Sequence, residues 1–183
     1  MPLLSVRRIL LSLIFGVLAC APANAADYER FVSVMGLDEL VLQSLRWPWD
    51  IIAEEDQDPP PHTECVRDIS PKIFVPDLVR FAENEVAPED VEPAIKLFDT
   101  EGWRKFSRDI ARRLTDEMAQ RPQRPDLVLS DEEEEEISAV QESPLSEKFL
   151  TEDFLFAAPI NEKLTALWDK AIEACAARFT KAP

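Results

Sequence analysis

The sequence predicts an all-α protein, a small irregular helical bundle with proline-rich and acidic connectors, and three observations lead there. Glycine is nearly absent, with only Gly36 and Gly102 beyond the first 25 residues. Leucine, alanine, glutamate, lysine and arginine, which lose little on entering a helix, are plentiful. The prolines gather between segments whose apolar residues recur at three- and four-residue steps, and Pro59-Pro60-Pro61, Pro122 and Pro125 mark the breaks. A sheet-rich fold with many tight turns would need more glycine than this chain has.

The first element is an export signal over residues 1–25. Arg7 and Arg8 make a short positive start, Ile9 to Leu18 is apolar apart from Ser12 and Gly16, and Ala23-Asn24-Ala25 has the small-x-small pattern that signal peptidase accepts. The apolar run falls short of the roughly 20 residues a membrane-spanning helix needs, so it reads as cleaved between Ala25 and Ala26. The alternative is lipid attachment, because Val17-Leu18-Ala19-Cys20 places a cysteine after a small residue at the end of the run. Leu18 is bulky for such a site, and the ordinary cleavage site follows a few residues later. Residues 26–183 then form a single helical domain located in the periplasm or secreted.

Tyr28, Phe31, Met35, Leu40, Val41 and Leu45 recur at helical steps, so Tyr28 to Leu45 reads as an amphipathic helix broken at Gly36, with Asp38 opening its second half. Trp47-Pro48-Trp49 is expected to end it. Two tryptophans about a proline can stack on a sugar or peptide, but anchoring a loop to the core is the commoner use. Residues 54–63, acidic and then proline-rich, read as an extended connector. Pro76 can open a helix carrying Leu78, Val79 and Phe81. Pro88 to Phe98 fits another, with Glu89 and Asp90 favourably placed in its first turn and Pro93 near that turn.

Asp99 or Thr100 can cap the next helix, whose inner face is expected to be Trp103, Phe106, Ile110, Leu114 and Met118. Arg104, Arg108, Arg112 and Arg113 fall on its other faces, either as an anion site or, more commonly for such residues, solvated or paired with carboxylates. Residues 121–145 are poor in large apolar side chains and read as an acidic connector or the start of a helix. The run Asp131 to Glu136 makes a poor calcium loop, since consecutive carboxylates point in different directions and no glycine turns the chain. Phe149 to Phe156 fits a short helix. Leu164, Trp168, Ile172, Cys175 and Phe179 then define a buried face on a last helix after Pro159.

The domain keeps two cysteines, Cys65 and Cys175, and in an oxidising compartment the simplest state of such a pair is a disulfide rather than two buried thiols. The closed loop of about 110 residues is worth up to roughly 4–5 kcal/mol in the chain-entropy model, with measured gains nearer 2–4. If the bond forms, the segment around Cys65 must pass beside the last helix.

The formal charge of −16 becomes more negative when Arg7 and Arg8 leave with the signal, which disfavours nucleic acid and anionic membrane surfaces as partners. Membrane association is expected only through a lipid on Cys20. The single histidine, His62, meets Glu64 and Cys65, and this is the one place where a cysteine–histidine hydrolase or a zinc site could begin. A proline-rich connector holds such geometry poorly, and oxidation of Cys65 removes the nucleophile. No Gly-x-Ser-x-Gly turn, phosphate-binding glycine loop or His-Glu-x-x-His helix is present. The sequence therefore offers no catalytic, cofactor-binding or metal-binding residues, and a non-enzymatic module with an envelope protein or small molecule as partner is expected.

One segment, Ala94-Ile95-Lys96-Leu97-Phe98-Asp99-Thr100-Glu101-Gly102-Trp103-Arg104-Lys105-Phe106, resembles a motif in a bacterial exported helical family of unknown function. There a helix ends in two aromatic or apolar residues, followed by a Ser/Thr–Gly turn and a basic residue opening the next helix. Phe149-Leu150-Thr151-Glu152-Asp153-Phe154-Leu155, followed by Asn161-Glu162-Lys163-Leu164, is similar to the family's final helical region. Here Thr100 and Gly102 stand one residue closer than is usual, and the turn proline is missing. The resemblance implies a periplasmic helical domain and carries over no catalytic residue.

Overall fold

The computed structural model describes residues 24–122, 124–151, 154 and 158–180, and among these it is all-helical. The expected signal segment and Cys20 lie outside the described residues. Nine α-helices follow in chain order within them: α1 Ala25–Met35, α2 Leu37–Glu55, α3 Thr63–Arg67, α4 Val75–Glu85, α5 Pro88–Phe98, α6 Glu101–Met118, α7 Asp131–Glu142, α8 Pro144–Phe149 and α9 Ala158–Thr180. A 3-10 turn at Pro71–Ile73 precedes α4.

α1 is the central helix. Asn24 and Asp27 form a reciprocal capping box at its start, each side chain accepting the other's backbone N–H. Phe31 and Val32 are fully buried, and the helix packs on α4, α5 and the start of α2. It ends where expected: Gly36 adopts φ 69°, a left-handed conformation that glycine takes without strain, and its N–H bonds back to Ser33 and Val32. The Tyr28 hydroxyl donates to the Val86 carbonyl at 3.1 Å, so the polar tip of a buried ring is satisfied at the end of α4.

Trp47-Pro48-Trp49 does not end the second helix. α2 runs through Pro48 to Glu55, although the proline gives the Ser44 carbonyl no N–H. Ion pairs across that turn oppose the loss: Arg46 lies 3.4 Å from Asp50, and Asp50 accepts from Arg67 of α3 at 3.1 Å. The proline-rich stretch after Glu55 turns into α3, where the Thr63 N–H and hydroxyl both bond to the Pro60 carbonyl.

α4 carries proline in its first turn, as expected, and buries Leu78 and Ala82, while Phe81 packs on Phe154. α5 spans the expected residues, but Pro93 lies in its interior rather than near its first turn. Val91, Ala94, Ile95 and Phe98 bury the opposing face, and this packing holds the helix where one backbone bond is lost.

The acidic connector expected over residues 121–145 contains a formed helix. Ser130 caps α7 in a second capping box with Glu133, and Ile137 and Val140 turn inward. Four acidic residues in its first turn sit at the positive end of the helix dipole, so a run that looks solvated in sequence favours a helix start. α7 packs along α6.

α6 departs from its expected inner face. Trp103 is buried, but so are Ala111, Thr115 and Asp116, whereas Ile110 is 39% exposed. Leu114 and Met118 belong to the backbone of the helix, and their side chains lie outside the described set. Thr100, not Asp99, caps it, accepting from the Trp103 N–H at 3.3 Å. The short helix expected at 149–156 falls largely on residues outside the described set. The described helix there is α8, whose Phe149 packs edge-on against Phe31, with ring centroids 5.3 Å apart. α9 begins near Pro159 as expected and buries Leu164, Trp168 and Cys175, while Phe179 at its end is 47% exposed.

Candidate functional site

Cys65 on α3 and Cys175 on α9 are joined by a disulfide, with Cα atoms 5.7 Å apart and 110 residues between them in sequence. The bond fixes α9 across α3, next to its packing on α4. Arg178, one turn beyond Cys175, reaches the Cys65 sulfur at 3.7 Å.

His62 directly precedes α3, and its ring lies 5.4 Å from that of Trp49. Its sequence neighbours are committed elsewhere: Glu64 pairs with Arg67 at 2.9 Å, and the Cys65 sulfur is bonded to Cys175. Trp49 is partly buried against the core. The tryptophan pair is therefore part of a continuous helix rather than an exposed loop platform.

The acidic run serves the packing of α7 on α6. Glu133 pairs with Lys105 and accepts from the Ser130 N–H at 2.9 Å, and these contacts hold its carboxyl below the usual range, with the lysine first in importance. Glu136 accepts from the Gly102 N–H at 2.6 Å, at the first turn of α6. Among the described residues no group of three or more His, Cys, Asp or Glu side chains is placed to hold a metal ion. No described helix is long and apolar enough to cross a membrane.

A second polar cluster joins the far ends of α2 and α6. Asp116 is buried and pairs with Arg124 and with Arg121, the latter at 3.6 Å, and Arg121 also reaches Glu54. The Arg124 guanidinium holds the Asp116 carboxyl below its ordinary value, against the burial that would raise it. A cleft of about 510 Å³ opens beside these groups, lined by Arg113, Asp116, Glu117, Gln120, Arg121 and Arg124. Its charges largely satisfy one another.

The arrangement best suited to a ligand is a groove of about 560 Å³ between the α1–α2 corner and α6. Val34, Met35, Leu40, Phe106 and Ile110 are among the apolar residues that line it. Trp103 anchors it, for its indole N–H donates to the Val34 carbonyl at 3.1 Å and ties the end of α1 to the start of α6. Along one edge stand Arg104, Arg108 and Arg112, and toward α2 stand Glu39 and Gln43. Arg104 is engaged by Asp99 at 2.9 Å and Glu101 at 3.3 Å. Arg113, farther along, is held by Asp109. Arg108 and Arg112 are exposed and make no ion pair among the described residues.

Of the four arginines, Arg104 and Arg113 are paired with carboxylates, and Arg108 and Arg112 stand exposed beside the groove. Sequence reasoning missed the groove because it depends on α2 turning away at Gly36, which leaves Ile110 and Phe106 only partly covered. The apolar 106–110 step was the available signal, read there as core.

No protein-family model, curated protein or solved structure matches the chain.

Proposed function

We propose that the chain is exported to the periplasm, loses residues 1–25, and acts there as a non-enzymatic binding module whose partner seats in the groove between the α1–α2 corner and α6. The observation that carries this reading is the groove's composition, an apolar floor beside two exposed arginines that make no ion pair among the described residues. Pockets of a few hundred cubic ångströms with an apolar lining and a few directed polar groups are the usual form of ligand sites. The Cys65–Cys175 disulfide supports the compartment, since such bonds persist where the surroundings oxidise. It also supports binding over hydrolysis, because it leaves His62 no thiolate to activate. Membership of an exported bacterial helical family, suggested by residues 94–106, belongs to the same proposal.

The test is expression of the full chain in a bacterium, followed by fractionation and intact mass. The expected product is periplasmic, begins at Ala26 and carries no free thiol. A diacylglyceryl mass on Cys20 would replace soluble export by a lipid-anchored envelope protein. A full-length cytosolic product with reduced cysteines would overturn the reading. For the binding role, Ile110→Glu puts a charge on the groove floor and is expected to abolish envelope crosslinks that the parent protein forms.

A further inference from the structure

We propose that the groove takes a single-chain anionic amphiphile, a long-chain carboxylate whose tail lies on the floor made by Val34, Met35, Leu40, Phe106 and Ile110 and whose head pairs with Arg108 and Arg112. This rests on the binding-module reading and names its ligand class.

Charge carries the first part of the argument. Acidic residues outnumber basic ones 36 to 20, and the arginines flanking this pair on α6, Arg104 and Arg113, are both neutralised by carboxylates. Two guanidinium groups without an ion pair among the described residues are conspicuous in so acidic a chain, and they stand four residues apart, about one helical turn. Like charges at that spacing disfavour each other, and one carboxylate between them relieves the repulsion while accepting charge-assisted hydrogen bonds from both. Glu39 toward α2 repels an anion, so the ligand has one orientation: head toward α6, tail along the floor.

Size carries the second part. At about 560 Å³ the groove falls within the range of small-molecule sites, roughly 300–1,000 Å³. It is lined by short stretches of α1, α2 and α6 with Leu150, which is less than the roughly 20–30 residues a side that a stable protein interface uses. The apolar floor accounts for the tail: Ile110, 39% exposed, is covered only when something apolar lies on it.

The experiment uses protein purified after expression of the full chain, delipidated and titrated with palmitate by calorimetry and native mass spectrometry. The expected result is one palmitate per chain. The surface double variant Arg108→Gln/Arg112→Gln is expected to weaken binding by about tenfold or more, as loss of charge-assisted bonds to a carboxylate requires. Lys163→Gln/Lys170→Gln, an equal change of net charge on the exposed side of α9, should leave binding within about twofold of the parent. Hexadecyltrimethylammonium, with the same tail and the opposite charge, should bind about tenfold more weakly or not at all. Absence of palmitate binding, or binding unchanged in the arginine variant, overturns the proposal. If palmitate fails while Ile110→Glu still abolishes envelope crosslinks, the ligand class is wrong and the binding-module reading stands. If Ile110→Glu affects neither, both fall.

Discussion

The backbone N–H of Gly102 donates to the carboxylate of Glu136 at 2.6 Å, and the two residues meet because Gly102 has no side chain. A Cβ placed there would lie 2.5 Å from the Glu133 carbonyl oxygen and 3.0 Å from the Glu133 Cα, both backbone atoms that cannot rotate away. The glycine thus sets how closely α7 approaches α6, and the acidic residue satisfies a first-turn donor left open by helix geometry.

Gly102→Ala is therefore expected to destabilise the fold by about 1–3 kcal/mol, the usual cost of overpacking, despite alanine's better helix propensity. Urea unfolding followed by circular dichroism checks this. An unchanged or higher midpoint would mean that α7 does not seat on α6 as described.

Reduction of the Cys65–Cys175 bond, or Cys65→Ser with Cys175→Ser, should cost about 2–4 kcal/mol, since the bond closes a long loop in the unfolded chain. Unfolding with and without reductant measures the difference directly. Two alkylatable thiols in native, freshly purified protein would contradict the expectation at its root.

Phe31 is fully buried and touches Phe149 and Phe154 edge-on, at 5.3 and 6.5 Å between ring centroids. Phe31→Ala removes the ring that joins α1 to the chain around α8, and a loss of about 3–5 kcal/mol is expected from such a truncation. If thermal melting showed a shift of less than about 2 °C, equivalent to under 1 kcal/mol at this size, the central placement of α1 would be in error.

Asp116 gives a pH dependence of definite sign. Its folded-state pKa is depressed, mainly by Arg124, so its contribution is fully present above the unfolded value of about 3.9. It is lost as pH falls from there through the folded value. The parent protein should lose more stability between pH 5 and pH 3 than Asp116→Asn does. Parallel slopes in the two proteins would show that the Asp116–Arg124 pair contributes nothing to acid sensitivity.

Several features were legible because their causes are local. The break at Gly36, the cap at Thr100, proline in the first turn of α4 and the span of α5 each follow from residues within a turn of one another. The contact between Cys65 and Cys175 is long-range, yet it was readable because covalent chemistry restricts the partners of a cysteine pair expected to meet oxidising surroundings. Pro48 was misread: its local cost is real, but the Arg46, Asp50 and Arg67 ion pairs that oppose it come partly from α3. The acidic run was also underestimated, because its partners Lys105 and Gly102 lie on α6.

By itself the sequence determined the all-helical class of the described residues and most of the places where their helices begin and end, since propensity, capping and proline geometry act within about four residues. Which side of each helix is covered was decided only by the tertiary structure. The periodicity of α6 marks Ile110 and Ala111 as adjacent positions, but covering one and exposing the other depends on where α1, α2 and α7 lie. Burial is a property of what distant segments bring to a surface, and the groove with its two exposed arginines exists for that reason.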